Sequence, residues 1–305
     1  MGTIVAATSI VVEDRCGPGV IPSGPASQKT PRDRAAAGGA SIPVAIGPQS
    51  LAESGAMGFP EPSPAAVEAL APTGTLRAAI NLSNFLLVTG KGGDGNPEGV
   101  SPDMARAVAD RLDVGLALLR YKTPGEIADD GGSGRWDIAN IGAEPKRAEQ
   151  IAFTAAYSEI PSTYLVPAGS SITSIDEVDQ PGHRIASAAR SAYDLWLERN
   201  IKHAELVQVS GLDGSFDAFV DQGLDALAGL RARLITDVER LPGSRILDGD
   251  FSSVQQAMGT PRERGDAGFE FLKAFVEEAK VSGFVASLIE RHGVQGLLVA
   301  PPAAD

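Results

Sequence analysis

Residues 142–147, G-A-E-P-K-R, place Pro145, Lys146 and Arg147 directly after the mostly apolar run 138–141. A strand that ends there and aims Arg147 into a cleft would recognise an anion. The planar guanidinium fork matches a carboxylate through two parallel, charge-assisted hydrogen bonds. The same residues also fit a solvated basic turn, and taken alone they favour that plainer reading. Other chemistry is sparsely supplied. His183, His203 and His292 are the only histidines and lack ligand spacing, so no metal site is expected. No G-x-S-x-G, Walker loop or H-E-x-x-H occurs, and no cofactor is expected. Cys16 is the only cysteine, which excludes an internal disulfide.

The 305 residues suffice for one large domain or two of ordinary size, and 43% are hydrophobic. A formal net charge of −13 repels the phosphates of nucleic acid and the face of anionic membranes. No apolar run approaches the ~20 residues of a membrane-spanning helix, so no membrane insertion is expected. Residues 1–71 are rich in Gly, Pro, Ala and Ser and have little periodicity. They are expected to form a disordered or loosely attached tail, because they offer too little apolar surface to offset chain entropy. The apolar run 3–12 has no basic residue before it, and Glu13, Asp14 and Arg15 follow where an export signal would need small residues. Those charges also spoil a lipoprotein signal ahead of Cys16. The expectation is an upstream tail, or a true start at Met57.

From Thr73 onward the pattern is regular. T-L-R-A-A-I-N (75–81) reads as a strand, followed by a helix over 101–112 with Ser101 as cap, Pro102 at its first position and Met104, Val108 and Leu112 on one stripe. Strands at 114–121 and before Gly142 flank a weak helix. A second alternation runs through a strand at 183–189, a helix at 191–200, a strand at 205–210, a helix carrying Phe216, Phe219 and Val220, and the strand L-D-A-L-A-G-L. Two helical stripes, Phe271/Phe275/Ala279 and Val285/Leu288/Ile289, close the chain. Such alternation implies two doubly wound α/β units.

The order of G-T-L-R-A-A-I-N, G-V-S-P-D-M-A-R-A-V-A-D-R-L, G-S-G-R-W-D, E-P-K-R, F-T-A-A-Y and H-R-I-A-S-A-A-R-S-A-Y-D resembles the solute-binding proteins of ABC transporters for polar amino acids, over about residues 72–300. The resemblance implies a type II periplasmic binding fold: two lobes, two crossover strands, and a small ligand clamped between. The crossovers are expected near residues 162–167 and 253–259. Lobe one would then comprise 72–163 with 257–305, and lobe two 164–256. Clefts between domains, at the carboxyl ends of parallel strands, are where small-molecule sites concentrate.

By this resemblance Arg147 matches the Arg of T-P-E-R, which holds the ligand carboxylate. Asn140 and Gly142 fall where relatives use hydroxyl side chains toward the ligand. Asn81 ends the first strand, Asn84 takes the place of an aromatic lid, and Phe85 lies beside it with core packing as its alternative. Arg190 and Ser191 occupy an anion-favouring helix start. Arg231 follows the last strand of lobe two, where amino-acid binders carry an Asp for the ligand ammonium. The segment 229–233 holds no acid, and Asp225 comes too early. A carboxylate without an amine, or a dicarboxylate, therefore fits these arginines better than an α-amino acid.

The function this implies is capture of a small carboxylate-bearing solute, amino acid or organic acid, for uptake by a monomer that hands it to an ABC permease. An enzyme alternative is cyclohexadienyl dehydratase, which shares the fold. It places a catalytic Glu where this chain has Tyr193, leaving Asp194 as the nearest acid. A third reading is a sensor or scavenger independent of any transporter. The resemblance implies the periplasm, with the cytoplasm as the alternative because no convincing signal peptide is visible.

Overall fold

The computed structural model describes residues 58–303. The run 3–12, Cys16 and Met57 lie outside them. In chain order the elements are α1 (Pro64–Leu70), β1 (Thr75–Asn81), β2 (Gly90–Lys91), β3 (Pro97–Glu98), α2 (Val100–Leu112), β4 (Gly115–Tyr121), α3 (Pro124–Asp129), β5 (Ile138–Gly142), α4 (Pro145–Ala148) and β6 (Ile151–Val166). They continue with β7 (Arg184–Ala188), α5 (Ala192–Asn200), β8 (Glu205–Val209), α6 (Leu212–Asp221), β9 (Ala226–Leu230), α7 (Arg231–Arg240), β10 (Arg245–Ile246), β11 (Ser252–Pro261), α8 (Asp266–Val281), α9 (Phe284–Arg291) and β12 (Leu298–Val299).

The main sheet runs β4-β1-β5-β11-β6-β9-β7-β8. β4, β1 and β5 are parallel, as are β9, β7 and β8. Between these two triplets β6 and β11 run antiparallel to each other along the length of β11. The result is two doubly wound lobes joined by two crossover strands, a type II periplasmic binding fold. The first crossover lies earlier than residues 162–167. Ser162 already faces Leu230 of β9, so the ladder of lobe two begins there and the passage between lobes precedes it.

The expected tail through residue 71 extends too far. Ser63 accepts a hydrogen bond from the Ala66 amide, Pro64 opens α1, and Ala66 and Leu70 are buried. That is an ordinary cap followed by an apolar face at helical spacing. Phe59 stacks on Phe275 of α8 with ring centroids 4.6 Å apart, and Arg111 donates to the carbonyls of Phe59 and Pro60. Residues 58–71 are thus part of the lobe-one core. Two helix details also differ. α2 is entered through Gly99 rather than capped by Ser101, because at φ 145° a side chain on residue 99 would collide with the Leu87 carbonyl. In α6 Phe216 and Phe219 are buried, but Val220 faces outward.

The base of β5 is pinned by Asp137. This buried carboxylate accepts from the backbone amide and guanidinium of Arg77 and from Arg264, joining β1, β5 and the segment after β11. Trp136, also buried, donates from Nε1 to the Ile127 carbonyl at 3.2 Å. A strand fixed at this end presents its other end, Gly142, in one place.

Leu70→Ala should lower stability by about 3 kcal/mol, as truncation of a fully buried Leu does. Val281→Ala, at a position 65% exposed, should change it by less than about 0.5 kcal/mol. Urea denaturation of both variants checks the assignment of α1 to the core.

Candidate functional site

Asn81, Gly142, Ala188 and Leu230 are the last residues of β1, β5, β7 and β9, and all four line one cavity of about 130 Å³. The site therefore sits where two parallel triplets end against each other, the place such sheets favour for ligands. Most of its wall is apolar, with Ala192, Leu212, Leu230 and Val254 prominent. Among the described residues its charged groups are Arg147 and Lys122, and no Asp or Glu lines it.

Arg147 is delivered by the single turn α4, which Pro145 opens immediately after β5. Its side chain is only 4% exposed. Nη1 donates to the Gly142 carbonyl at 2.6 Å within lobe one, and Nη2 donates to the Arg190 carbonyl at 2.9 Å in lobe two. Among the described residues it has no carboxylate partner within ion-pair distance. Burial pushes its guanidinium down to about 10, with nearby Glu144 opposing that shift. Arg147 remains charged near neutral pH, held by two neutral carbonyls, with the rest of its fork at the cavity wall.

The facing wall is the loop into α5. Ser191 caps the helix by accepting from the Asp194 amide at 3.1 Å. Asp194 is fully buried and occupied on both oxygens. Oδ1 accepts from Ser187 at 2.5 Å, and Oδ2 accepts from the Arg190 amide at 2.7 Å. Gln208 adds a further donor. That carboxylate holds Arg190 in its left-handed conformation, φ 62°, where a non-glycine residue needs support.

The sequence-predicted residues divide. Arg147, Gly142, Asn81, Asn84 and Ser191 line the cavity. Two of the side-chain oxygens are already engaged locally: Asn81 Oδ1 accepts from Ser83, and Asn84 Oδ1 accepts from the Leu86 amide. The remaining four do not reach the cavity. Arg190 turns its guanidinium to Asp129 and the Gly125 carbonyl of lobe one, because α3 offers a carboxylate across the gap. Arg231 pairs with Asp250 and bonds the carbonyls of Leu247 and Gly249, fixing that loop. Asn140 lies deeper along β5 beneath α2 and donates to the Ser101 carbonyl at 3.0 Å. Phe85 is 38% exposed and faces two outer grooves.

Two residues went unpredicted. Gln256 on β11 is 4% exposed, lines the cavity and makes no side-chain hydrogen bond among the described residues. Its partner across the ladder is Gly142, a pairing that strand order alone decides. Tyr193 is 2% exposed, and its hydroxyl lies near the Ser191 side chain and the Ala188 backbone. Burial raises its ionisation above the usual tyrosine range, so the hydroxyl keeps its proton.

A deep cavity at the strand ends of two hinged lobes, with a buried cation in its wall, defines a two-lobed solute-binding protein. Residues 85–295 match the bacterial extracellular solute-binding proteins, family 3, and the chain belongs to that family. Comparison with curated proteins finds no match to the sequence. Several solved structures share the fold. A mutant of ArgBP from T. maritima is 20% identical with a TM-score of 0.61, covering 75% of this chain and 100% of its own. AbpA from Streptococcus pneumoniae, bound to L-arginine, is 19% identical with a TM-score of 0.60, over 75% and 99% of the two chains. The ancestral amino acid-binding protein AncCDT-1, a precursor of cyclohexadienyl dehydratase, is 18% identical with a TM-score of 0.59, over 74% and 98%. Among the described residues, no helix is long and apolar enough to cross a membrane.

Gly142 lies close against α5 of the other lobe. A Cβ there would stand 2.7 Å from Ala192 Cβ and 2.9 Å from Val254 Cγ1. Ala192 cannot rotate away, so α5 must retreat. Gly142→Ala should therefore enlarge the radius of gyration of the protein in small-angle scattering, whereas Asp129→Asn, which breaks a pair more than half exposed on both sides, should leave it unchanged.

Proposed function

We propose that this protein binds a small organic carboxylate between its lobes, with Arg147 as the clamp, and delivers it to an ABC-type permease after export. The observation that carries this is a buried guanidinium at the cavity wall that, among the described residues, has no ion-pair partner and only nearby Glu144 to offset its burial. Taking a cation out of water costs several kcal/mol unless an anion compensates it. The shifted ionisation, at about 10, still lies far above neutral pH, so loss of a proton cannot relieve that cost in the working range. A carboxylate can, through the free part of the fork.

The neighbours bound to L-arginine or described as a cysteine-binding protein favour an α-amino acid as the second reading. Against it stands the wall's composition: Arg147 and Lys122 would repel an ammonium, and among the described residues no carboxylate lines the cavity to receive one. The dehydratase reading needs a general acid within reach of a departing hydroxyl. Asp194, the sequence candidate, has both oxygens bound and is fully buried. Ligand capture is therefore the reading supported over catalysis.

Arg147→Met should weaken binding of simple carboxylates such as propionate and lactate by at least tenfold in calorimetry, since a charge-assisted bond contributes ~1.5–3 kcal/mol. Arg147→Lys should recover little, because a point charge lacks the bidentate geometry. The unliganded Arg147→Met protein should melt no lower than wild type, as the variant no longer buries an unpaired charge. Unchanged affinity in Arg147→Met would exclude the clamp.

A further inference from the structure

We infer that the ligand is a short dicarboxylate without an amine, its first carboxylate held by Arg147 and its second received by Lys122 and the side-chain amides of Asn81 and Asn84. This rests on Arg147 as the carboxylate clamp. Asn81 is 8% exposed and Asn84 7%, and both line the cavity. Asn81 Oδ1 accepts from the Ser83 amide at 3.1 Å, and Asn84 Oδ1 accepts from the Leu86 amide at 3.2 Å. A backbone amide only donates, so these bonds fix which way each carboxamide is turned. The two Nδ2 groups are left without a hydrogen-bond partner among the described residues, and neither is sealed from solvent. Buried polar groups are almost always satisfied, so two unused donors at one cavity point to an acceptor that completes them.

The charge of that acceptor follows from Lys122. It comes directly after β4, is exposed and lines the same cavity. Its backbone amide donates to Glu126 at 2.8 Å, but its ammonium forms no ion pair among the described residues. The wall thus offers two cations and two amide donors, and among the described residues no carboxylate. A neutral carbonyl or hydroxyl would satisfy the amides and leave the Lys122 ammonium to water. An ammonium on the ligand could not accept from Asn81 or Asn84 and would stand beside two cations. A second carboxylate accepts from all three donors at once.

Position and size agree. In the sheet order β4-β1-β5, Lys122 stands past the end of β4, Asn81 ends β1, and Arg147 follows β5. Neighbouring strands lie ~4.8 Å apart, so the ends of β4 and β5 are separated by about 10 Å. A succinate with a charge-assisted bond of ~2.8 Å at each end has about that length. The cavity volume of about 130 Å³ compares with the ~150 Å³ cavity that accepts benzene, a molecule close in size to malonate and succinate. The apolar wall formed by Ala192, Leu212 and Val254 suits the methylene linker between two carboxylates.

The test is calorimetry with malonate, succinate and glutarate, with the monocarboxylates propionate and butyrate, with pyruvate and lactate as monocarboxylates carrying a neutral acceptor, and with aspartate. Wild type, Lys122→Met, Asn84→Asp and Arg147→Met are compared. Lys122 is exposed, so its replacement should leave the fold intact. Asn84→Asp keeps an oxygen for the Leu86 amide and puts a negative charge in place of the donor. At least one dicarboxylate should bind wild type about tenfold or more tighter than every monocarboxylate, and tighter than aspartate, because a site built to hydrogen-bond a group rejects the analogue lacking it. That preference should shrink to about threefold or less in both Lys122→Met and Asn84→Asp. Being a ratio within one variant, it is not imitated by a general loss of folding. Dicarboxylates bound no tighter than the monocarboxylates, tighter binding of aspartate, or a preference that survives either substitution would overturn the inference while leaving the clamp in place. If no carboxylate binds wild type, or Arg147→Met binds as wild type does, the clamp itself fails and the dicarboxylate reading fails with it.

Discussion

A guanidinium buried at the cavity wall, with no ion-pair partner among the described residues, is the constraint around which the interlobe region is organised. Arg147 is held by two neutral carbonyls, one from each lobe. That arrangement fixes the fork, and nearby Glu144 offsets only part of the effect of burial. Most proteins remove such a cost by pairing the group internally. Asp137 takes Arg77 and Arg264, and Asp237 takes Arg233 and Arg240. Arg147 is the exception among them, and the proposed anionic ligand would take the place of the missing partner. The fold supplies the means: β5 is anchored at its base by Asp137, its far end stops at Gly142, and Pro145 starts a turn that can only place Arg147 beside that end.

The contacts between lobes fall into two kinds. Arg190–Asp129 is an exposed ion pair, whereas Arg199–Glu144 joins a partly exposed Arg to a carboxylate that is largely buried. An exposed pair contributes roughly 0–1 kcal/mol and weakens with salt, so Arg190–Asp129 tunes the approach of the lobes rather than dictates it. The close approach of Gly142 to Ala192 and Val254 is steric and short-ranged. It permits a small cavity with an apolar wall, inside which a charge-assisted bond is stronger than in water. Asp194 acts at one remove. Its fully occupied carboxylate shapes the loop that offers the Arg190 carbonyl to Arg147.

Much of this was legible in the sequence. Alternating strand and helix patterns, Gly and Pro punctuation and the apolar stripes of α2, α8 and α9 are local signals, and they gave the two-lobed architecture. Arg147 was a candidate only through the family resemblance, because a proline and a guanidinium after a strand, taken alone, fit a solvated basic turn equally well. The α1 segment was misread because its Gly- and Pro-rich surroundings outweighed a short cap-and-stripe pattern at Ser63–Leu70. Arg190 and Arg231 were misplaced for a different reason. A cation near a cleft in sequence goes to whichever carboxylate lies nearest in space, here Asp129 and Asp250. Gln256 was invisible because only the antiparallel pairing of β11 with β5 brings it opposite Gly142.

The central claim is that the Arg147 fork meets a carboxylate directly, and nuclear magnetic resonance of arginine side chains reports that contact. In protein labelled with ¹⁵N-arginine, the Nε–H resonance missing from the Arg147→Lys spectrum identifies the residue. Adding lactate or propionate to saturation should move that resonance downfield and slow its exchange with water, because a charge-assisted bond forms and solvent is excluded. A resonance that stays in place while calorimetry shows the same carboxylate bound would contradict the account.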